Sequence, residues 1–154
     1  ACKSDDIIHD DKSPVASFTS ASGLFTNVQN LKVAWTAQDN LSGIDKVICH
    51  DNVGAEVSCT SSMTVANEKE GANSVRVLVR DKAGNLSDEL FYGWVFDKTA
   101  PTVVLNTKPA DISGSTAASL AFSGNDSGSG ITSYSCKLDA APASACTSPR
   151  AFSG

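Results

Sequence analysis

Histidine is nearly missing from this chain: His9 and His50 are the only two in 154 residues. A Ser-His-Asp arrangement would need one of them held by a buried acid. His9 lies in a polar stretch and His50 adjoins Cys49, so neither stands in a pattern that supplies one. There is no G-x-S-x-G elbow and no phosphate-binding loop, which leaves acyl and phosphoryl transfer without an anchor. A membrane-spanning helix requires about 18 consecutive apolar residues, and no stretch approaches that. Excess positive charge is absent as well. The formal net charge is −5, which disfavours nucleic acid and anionic membranes as partners. Apolar residues at 3.6-residue spacing never persist for three turns. What remains is short alternating segments punctuated by Gly, Asn, Asp and Pro, which reads as all-β.

Against these absences stands a repeat. Residues 39–59 read DNLSGIDKVICHDNVGAEVSC, and residues 126–146 read DSGSGITSYSCKLDAAPASAC. Cys136 follows Cys49 by 87 positions, and Cys146 follows Cys59 by the same 87. Ser129-Gly130-Ile131 stands at that offset from Ser42-Gly43-Ile44, Pro101 from Pro14, and Phe122 from Trp35. A fixed period of this size marks a tandem array of similar units. The expected division is a polar tether over 1–12, a first domain over 13–98 and a second over 99–154. At the same offset Gly154 matches Asn67, so the second domain is expected to be truncated, without its last two strands. Three readings of that follow: a fragment of a longer protein, strands supplied by another chain, or self-association through the incomplete unit. The fragment is the simplest.

Within the first domain, Leu31, Val33 and Trp35 alternate with polar or small residues and predict a half-buried strand with the Trp in the core. Ile44 to Cys49 predicts another, followed by a turn centred on Asn52-Val53-Gly54 and a return strand with Val57 and Cys59. Residues 68–73 read as a charged loop. Val75, Val77 and Val79 then alternate with Arg76 and Arg80, and Leu90, Tyr92, Trp94 and Phe96 form a last strand.

Four of the five cysteines form two equally spaced pairs. A disulfide within each domain, Cys49–Cys59 and Cys136–Cys146, is the economical reading, and it implies an oxidising compartment. A metal site would want close pairs and further ligands, and Lys137 replaces His50 at the matching position. Each pair flanks its turn symmetrically, so the bond is expected between facing positions of a hairpin. On a chain-entropy account such a loop contributes about 2.5 kcal/mol. Cys2 is left over. Ala1-Cys2-Lys3 before a polar tether resembles the mature start of a bacterial lipoprotein, which makes Cys2 a candidate lipidation site and lipid anchor. The alternative is a free Cys in a tether.

Asp39 and Asn40 follow one predicted strand, and Asp81 and Asn85 follow another whose end falls at the same pole. These four are candidate ligands for calcium, which takes six to eight oxygens. Asp and Asn also cap turns without any ion. Three Asn-x-Ser triplets, at Asn40, Asn85 and Asn125, all fall at turns. Tyr92 and Trp94 share the core face of their strand, whereas Phe91 lies on the opposite face, where aromatics bind sugars.

The combination D-x-x-S-G-I, a first and second Cys, V-R-D-K-A-G-N and W-x-F-D-K-T-A-P resembles bacterial immunoglobulin-like tandem-repeat domains of secreted and cell-surface, adhesin-type proteins. Asp39, Ser42, Gly43 and Ile44 carry the first part, with Asp126, Ser129, Gly130 and Ile131. Asp81, Ala83, Gly84 and Asn85 carry the second, and Asp97 to Pro101 the junction. The resemblance covers residues 10–154. It implies tandem immunoglobulin-like β-sandwich units and a non-enzymatic structural or adhesive role in a surface stalk, fibre or adhesin, with no cofactor. The implied partner is a cell-surface protein or glycan, and the implied location is extracellular, at the bacterial surface, associated with the outer membrane if Cys2 is acylated. The alternatives are a glycan- or calcium-binding module and an accessory domain of a larger secreted enzyme. The second domain departs from the pattern by lacking its own D-x-A-G-N and Trp strand.

Overall fold

The computed structural model describes residues 9–153 apart from 21, 22, 53, 58 and 67. Cys2 and most of the tether lie outside the described residues, as does Val53 of the hairpin turn. The described residues hold strands and no helix, so the fold is all-β. The chain divides into two units, Ala1–Asp97 and Lys98–Gly154.

Unit 1 contains β1 (Val15–Ser20), β2 (Phe25–Thr26), β3 (Lys32–Gln38), β4 (Ile44–His50), β5 (Glu56–Val57), β6 (Ser62–Thr64), β7 (Gly71–Asp81) and β8 (Leu90–Phe96). They form a three-stranded sheet, β1-β3-β6, and a five-stranded sheet, β2-β8-β7-β4-β5. Both sheets supply one core. β3 gives Val33 and Trp35, β4 gives Cys49, β7 gives Val75 and Val77, and β8 gives Trp94 and Phe96. The period-2 alternation of β7 is what sends its valines inward and Arg76 and Arg80 outward. Val33 and Trp35 are 0% and 2% exposed, and burying such side chains stabilises by about 1.5–3 kcal/mol each. Trp35 also donates its Nε1–H to the Thr60 carbonyl at 3.1 Å, which satisfies the one polar group it buries.

Three features differ from the sequence reading. First, residues 68–73 are not simply a loop. β7 begins at Gly71, and Asn73 is buried because its amide folds back on Lys69 N at 3.1 Å and Lys69 O at 2.8 Å. Second, β2 runs parallel to β8, with Phe25 opposite Val95, and extends the five-stranded sheet. Third, the disulfides are diagonal. Cys49 lies opposite Val57 and Cys136 opposite Ser144, so each second Cys stands two residues past the facing position. The Cα atoms are still 6.2 and 5.8 Å apart, within bonding reach.

Unit 2 contains β9 (Thr102–Thr107), β10 (Ala117–Asn125), β11 (Tyr134–Cys136), β12 (Ser144–Cys146) and β13 (Arg150–Ser153). Its sheets are β13-β10-β9 and β11-β12. The 87-residue offset holds in the hydrogen-bonded register, not only in the letters. Leu105 pairs Phe122 as Phe18 pairs Trp35, and Thr102 pairs Asn125 as Val15 pairs Gln38. The irregularity after Phe18 recurs after Leu105. Leu120 pairs Arg150 as Val33 pairs Met63. One substitution is compensated locally. Tyr134 stands where unit 1 has Val47, and Gly124 where it has Ala37. A Cβ on Gly124 would come 3.1 Å from the Tyr134 hydroxyl, so the smaller residue makes room for the ring. Tyr134 then packs edge-on against Phe122 at 5.1 Å, and its oxygen accepts the Gly124 amide at 2.9 Å.

Candidate functional site

One end of unit 1 gathers three carboxylates. Asp39 follows β3 directly, Asp81 ends β7, and Asp10 precedes β1. Their oxygens lie within 4.8 Å of one another. Like charges at such a spacing repel by about 1 kcal/mol per pair even in a water-like dielectric, so donors must offset them. The turns provide those donors. Asp39 Oδ1 accepts the amides of Leu41 at 3.2 Å and Gly43 at 2.6 Å, and the Ser42 hydroxyl at 3.4 Å. Gly43 reaches that position through a left-handed φ of 77°. Asp10 Oδ2 accepts the Ser42 amide at 3.0 Å, and its Oδ1 accepts the Lys12 amide at 3.0 Å. Asp81 Oδ1 and Oδ2 accept the Asn85 amide at 2.7 Å and its side-chain Nδ2 at 2.8 Å. Asn85 Nδ2 also donates to the carbonyls of Asp10 and Lys12 at 3.1 and 3.2 Å. The result is a clasp that ties the start of the unit to the turn between β7 and β8.

Asp81 is 1% exposed, and Asp10 and Asp39 are partly buried. Donation from Ser42, its hydroxyl first, and then from the Lys12 amide holds the Asp10 carboxyl below its ordinary range. An all-oxygen set of this kind suits a hard cation. Of the four candidates read from sequence, Asp39, Asp81 and Asn85 come together, and Asn85 serves as a donor. Asn40 is exposed and makes no hydrogen bond to the group. Asp10 was hidden in what read as tether. Its signal was the repeat, since Asp97 stands 87 positions later at the head of the D-K-T-A-P junction. Unit 2 keeps the first part of the clasp. Asp126 Oδ1 accepts the amides of Gly128, Ser129 and Gly130, each at 3.0 Å.

The other candidates are placed as follows. Cys49–Cys59 and Cys136–Cys146 are bonded. His9 is exposed, and the His50 Nδ1 lies 3.1 Å from the Gly54 carbonyl. Tyr92 is half-buried at the edge of the core and stacks on Trp94 at 5.4 Å, and its partial burial pushes the hydroxyl up from its ordinary value. Phe91 is on the outer face and 58% exposed, with the Arg76 guanidinium 5.7 Å over its ring. An open groove of about 540 Å³ runs beside it, lined by Phe25, Asn73, Gly93 and others. No protein-family model matches this chain, and no curated protein matches its sequence.

Proposed function

We propose that the chain is a non-enzymatic extracellular module of tandem immunoglobulin-like β-sandwich units, acting as a spacer or adhesive element in a bacterial surface stalk, fibre or adhesin. The observation that carries this reading is the repeat of strand register at a constant offset, with one stapled hairpin in each unit. Similar units in series supply reach, because each adds length without adding a new fold. Hairpin disulfides suit an oxidising exterior, where they persist. A cell-surface protein or glycan is the partner that such a spacer presents or grips. Acylation of Cys2 would tether it; one acyl chain gives only marginal binding, and more give a stable anchor. Protease treatment of intact cells of the source organism tests the location: release of fragments without lysis is expected, and protection until lysis overturns the reading. Mass spectrometry of the native protein settles Cys2, and an unmodified thiol removes the anchor.

A second reading, a calcium-dependent module, is favoured by the carboxylates of Asp10, Asp39 and Asp81 alone. A ligand that binds only the folded state raises the melting midpoint. A midpoint that rises in millimolar calcium and falls in chelator supports that reading, and one that moves in neither leaves the cluster as a turn clasp.

A further inference from the structure

Unit 1 takes the chain in at one end and lets it out at the other. Val15, the first residue of β1, pairs with Gln38, the last of β3, beside the carboxylate clasp. Asp81, the last residue of β7, stands at that same end, whereas Phe96, the last of β8, pairs with Gly71, the first of β7. Tension on the chain therefore acts along the strands. By covalent order it would fall first on β1. That strand lies at the edge of its sheet, bonded to β3 alone, and its six residues are exposed or half-buried. β8 is better held. It lies between β2 and β7, with Trp94 and Phe96 buried.

The segment ahead of β1 is tied elsewhere. Asn85 Nδ2 holds the carbonyls of Asp10 and Lys12 at 3.1 and 3.2 Å, and the Ser42 amide holds Asp10 Oδ2 at 3.0 Å. Asn85 is itself a fixed post. Its amide and Nδ2 donate to the Asp81 carboxylate at 2.7 and 2.8 Å, and its carbonyl accepts the Asp81 amide at 3.1 Å. From Asn85 the backbone runs on into β8, pinned to β7 on the way where the Ser87 amide meets the Val79 carbonyl at 2.9 Å. We propose that residues 10–12 form a load-bearing strap, which hands tension from the entering chain to Asn85 and along β8 to the exit, so that β1 is not loaded until the strap breaks. Three hydrogen bonds carry the transfer into the turn, and the covalent backbone of an interior strand carries it onward. Broken bonds of this kind re-form when tension falls, because the post does not move with the strap. The purpose of the strap rests on the spacer reading, since only a chain under tension needs one.

The test holds single molecules of the whole 154-residue chain at constant force and reads the lifetime of folded unit 1. One handle is attached at residue 100 through Ala100→Cys. The other is attached either at Cys2, ahead of the strap, or at residue 15, through Val15→Cys in a Cys2→Ser background. Both substituted positions are exposed. Asn85→Ala removes the donor to both carbonyls. Pulled from Cys2, it is expected to shorten the lifetime about tenfold, as the loss of two hydrogen bonds would. Pulled from residue 15, it is expected to shorten the lifetime much less, because only the general loss of stability is then felt. Asp10→Ala, which removes the carboxylate that Ser42 holds, should show the same asymmetry more weakly, and it carries the test should Asn85→Ala not fold. Equal shortening from both attachment points overturns the proposal, for the contacts would then be stabilising without bearing load. Unchanged lifetimes from Cys2 overturn it as well. The lifetimes are read on the purified chain, so they stand apart from the protease test of location that decides the spacer reading.

Discussion

Units 1 and 2 pair their shared strands at the same positions, yet Trp35 is 2% exposed and its counterpart Phe122 is only partly covered. Backbone register is therefore not what makes a core. Turns, alternation and a stapled hairpin arrange the strands in both units. In unit 1 the strands β7 and β8 remove the apolar face from water, and among the described residues of unit 2 no strands do the same. The largest expected effect follows. Trp35→Ala removes a fully buried ring and is expected to cost about 3–5 kcal/mol, whereas Phe122→Ala is expected to cost less than about 2 kcal/mol. Denaturant unfolding followed by residue-resolved spectra would measure both in one chain. Equal losses would mean that unit 2 has a closed core of its own.

The disulfides sharpen the comparison, because loop length is held constant at a sequence separation of 10 in both. Loop-closure entropy should then contribute about 2.5 kcal/mol to each unit. Their surroundings differ: Cys49 is fully buried, while Cys136 is partly exposed. Replacing both members by Ala should cost unit 1 about 1 kcal/mol more than unit 2, the excess reflecting lost packing. If the two losses are equal, the staples act on the unfolded chain alone.

The turn carboxylates come next. Asp81 is buried and accepts two bonds from Asn85, so Asp81→Ala strands those donors and should cost about 2 kcal/mol. Asp126 serves a turn of three exposed amides, and Asp126→Ala should cost about 0.5–1 kcal/mol, since water can replace it. Midpoints measured at neutral pH decide this. A reversed order would place the more important clasp in unit 2.

How much of this was legible depended on whether a signal was local. The alternation of Val75, Val77 and Val79 is a local consequence of the pleat, so β7 could be read directly. The cysteine pairing followed from equal spacing, but its diagonal register did not, because the turn sets the register and its length is ambiguous to two residues. β2 was illegible: two residues carry no period, and a parallel partner 70 positions away leaves no mark in the sequence between Phe25 and Val95. Asp39, Asp81 and Asn85 were found because turn residues sit at strand ends, and strand ends share a pole. Asp10 was missed because polar residues before a first strand resemble a tether; only its echo at Asp97 marked it. The repeat predicted similar strands in unit 2, but only the structure shows that they keep the hydrogen-bonded register of unit 1.

The smallest effect concerns Asp10, and its sign is fixed by how the two units spend one amide. In unit 1 the Ser42 amide goes to Asp10, while its counterpart, the Ser129 amide, goes to Asp126. Bonds from Ser42 and Lys12 hold the folded Asp10 carboxyl below its ordinary value. The folded state therefore takes up that proton less readily than the unfolded state does. The stability it contributes is fully present above the unfolded pKa of about 3.9 and is lost as pH falls through the folded value. Asp10→Asn should be slightly less stable than the parent at neutral pH, and it should lose less on acidification from about pH 5 to pH 2. Because this carboxyl is reached by solvent, the difference is expected to be a shift of a few degrees in melting midpoint at most. Parallel acid profiles for parent and variant would show that Asp10 holds no part of the clasp, and that unit 1, like unit 2, closes its turn from within.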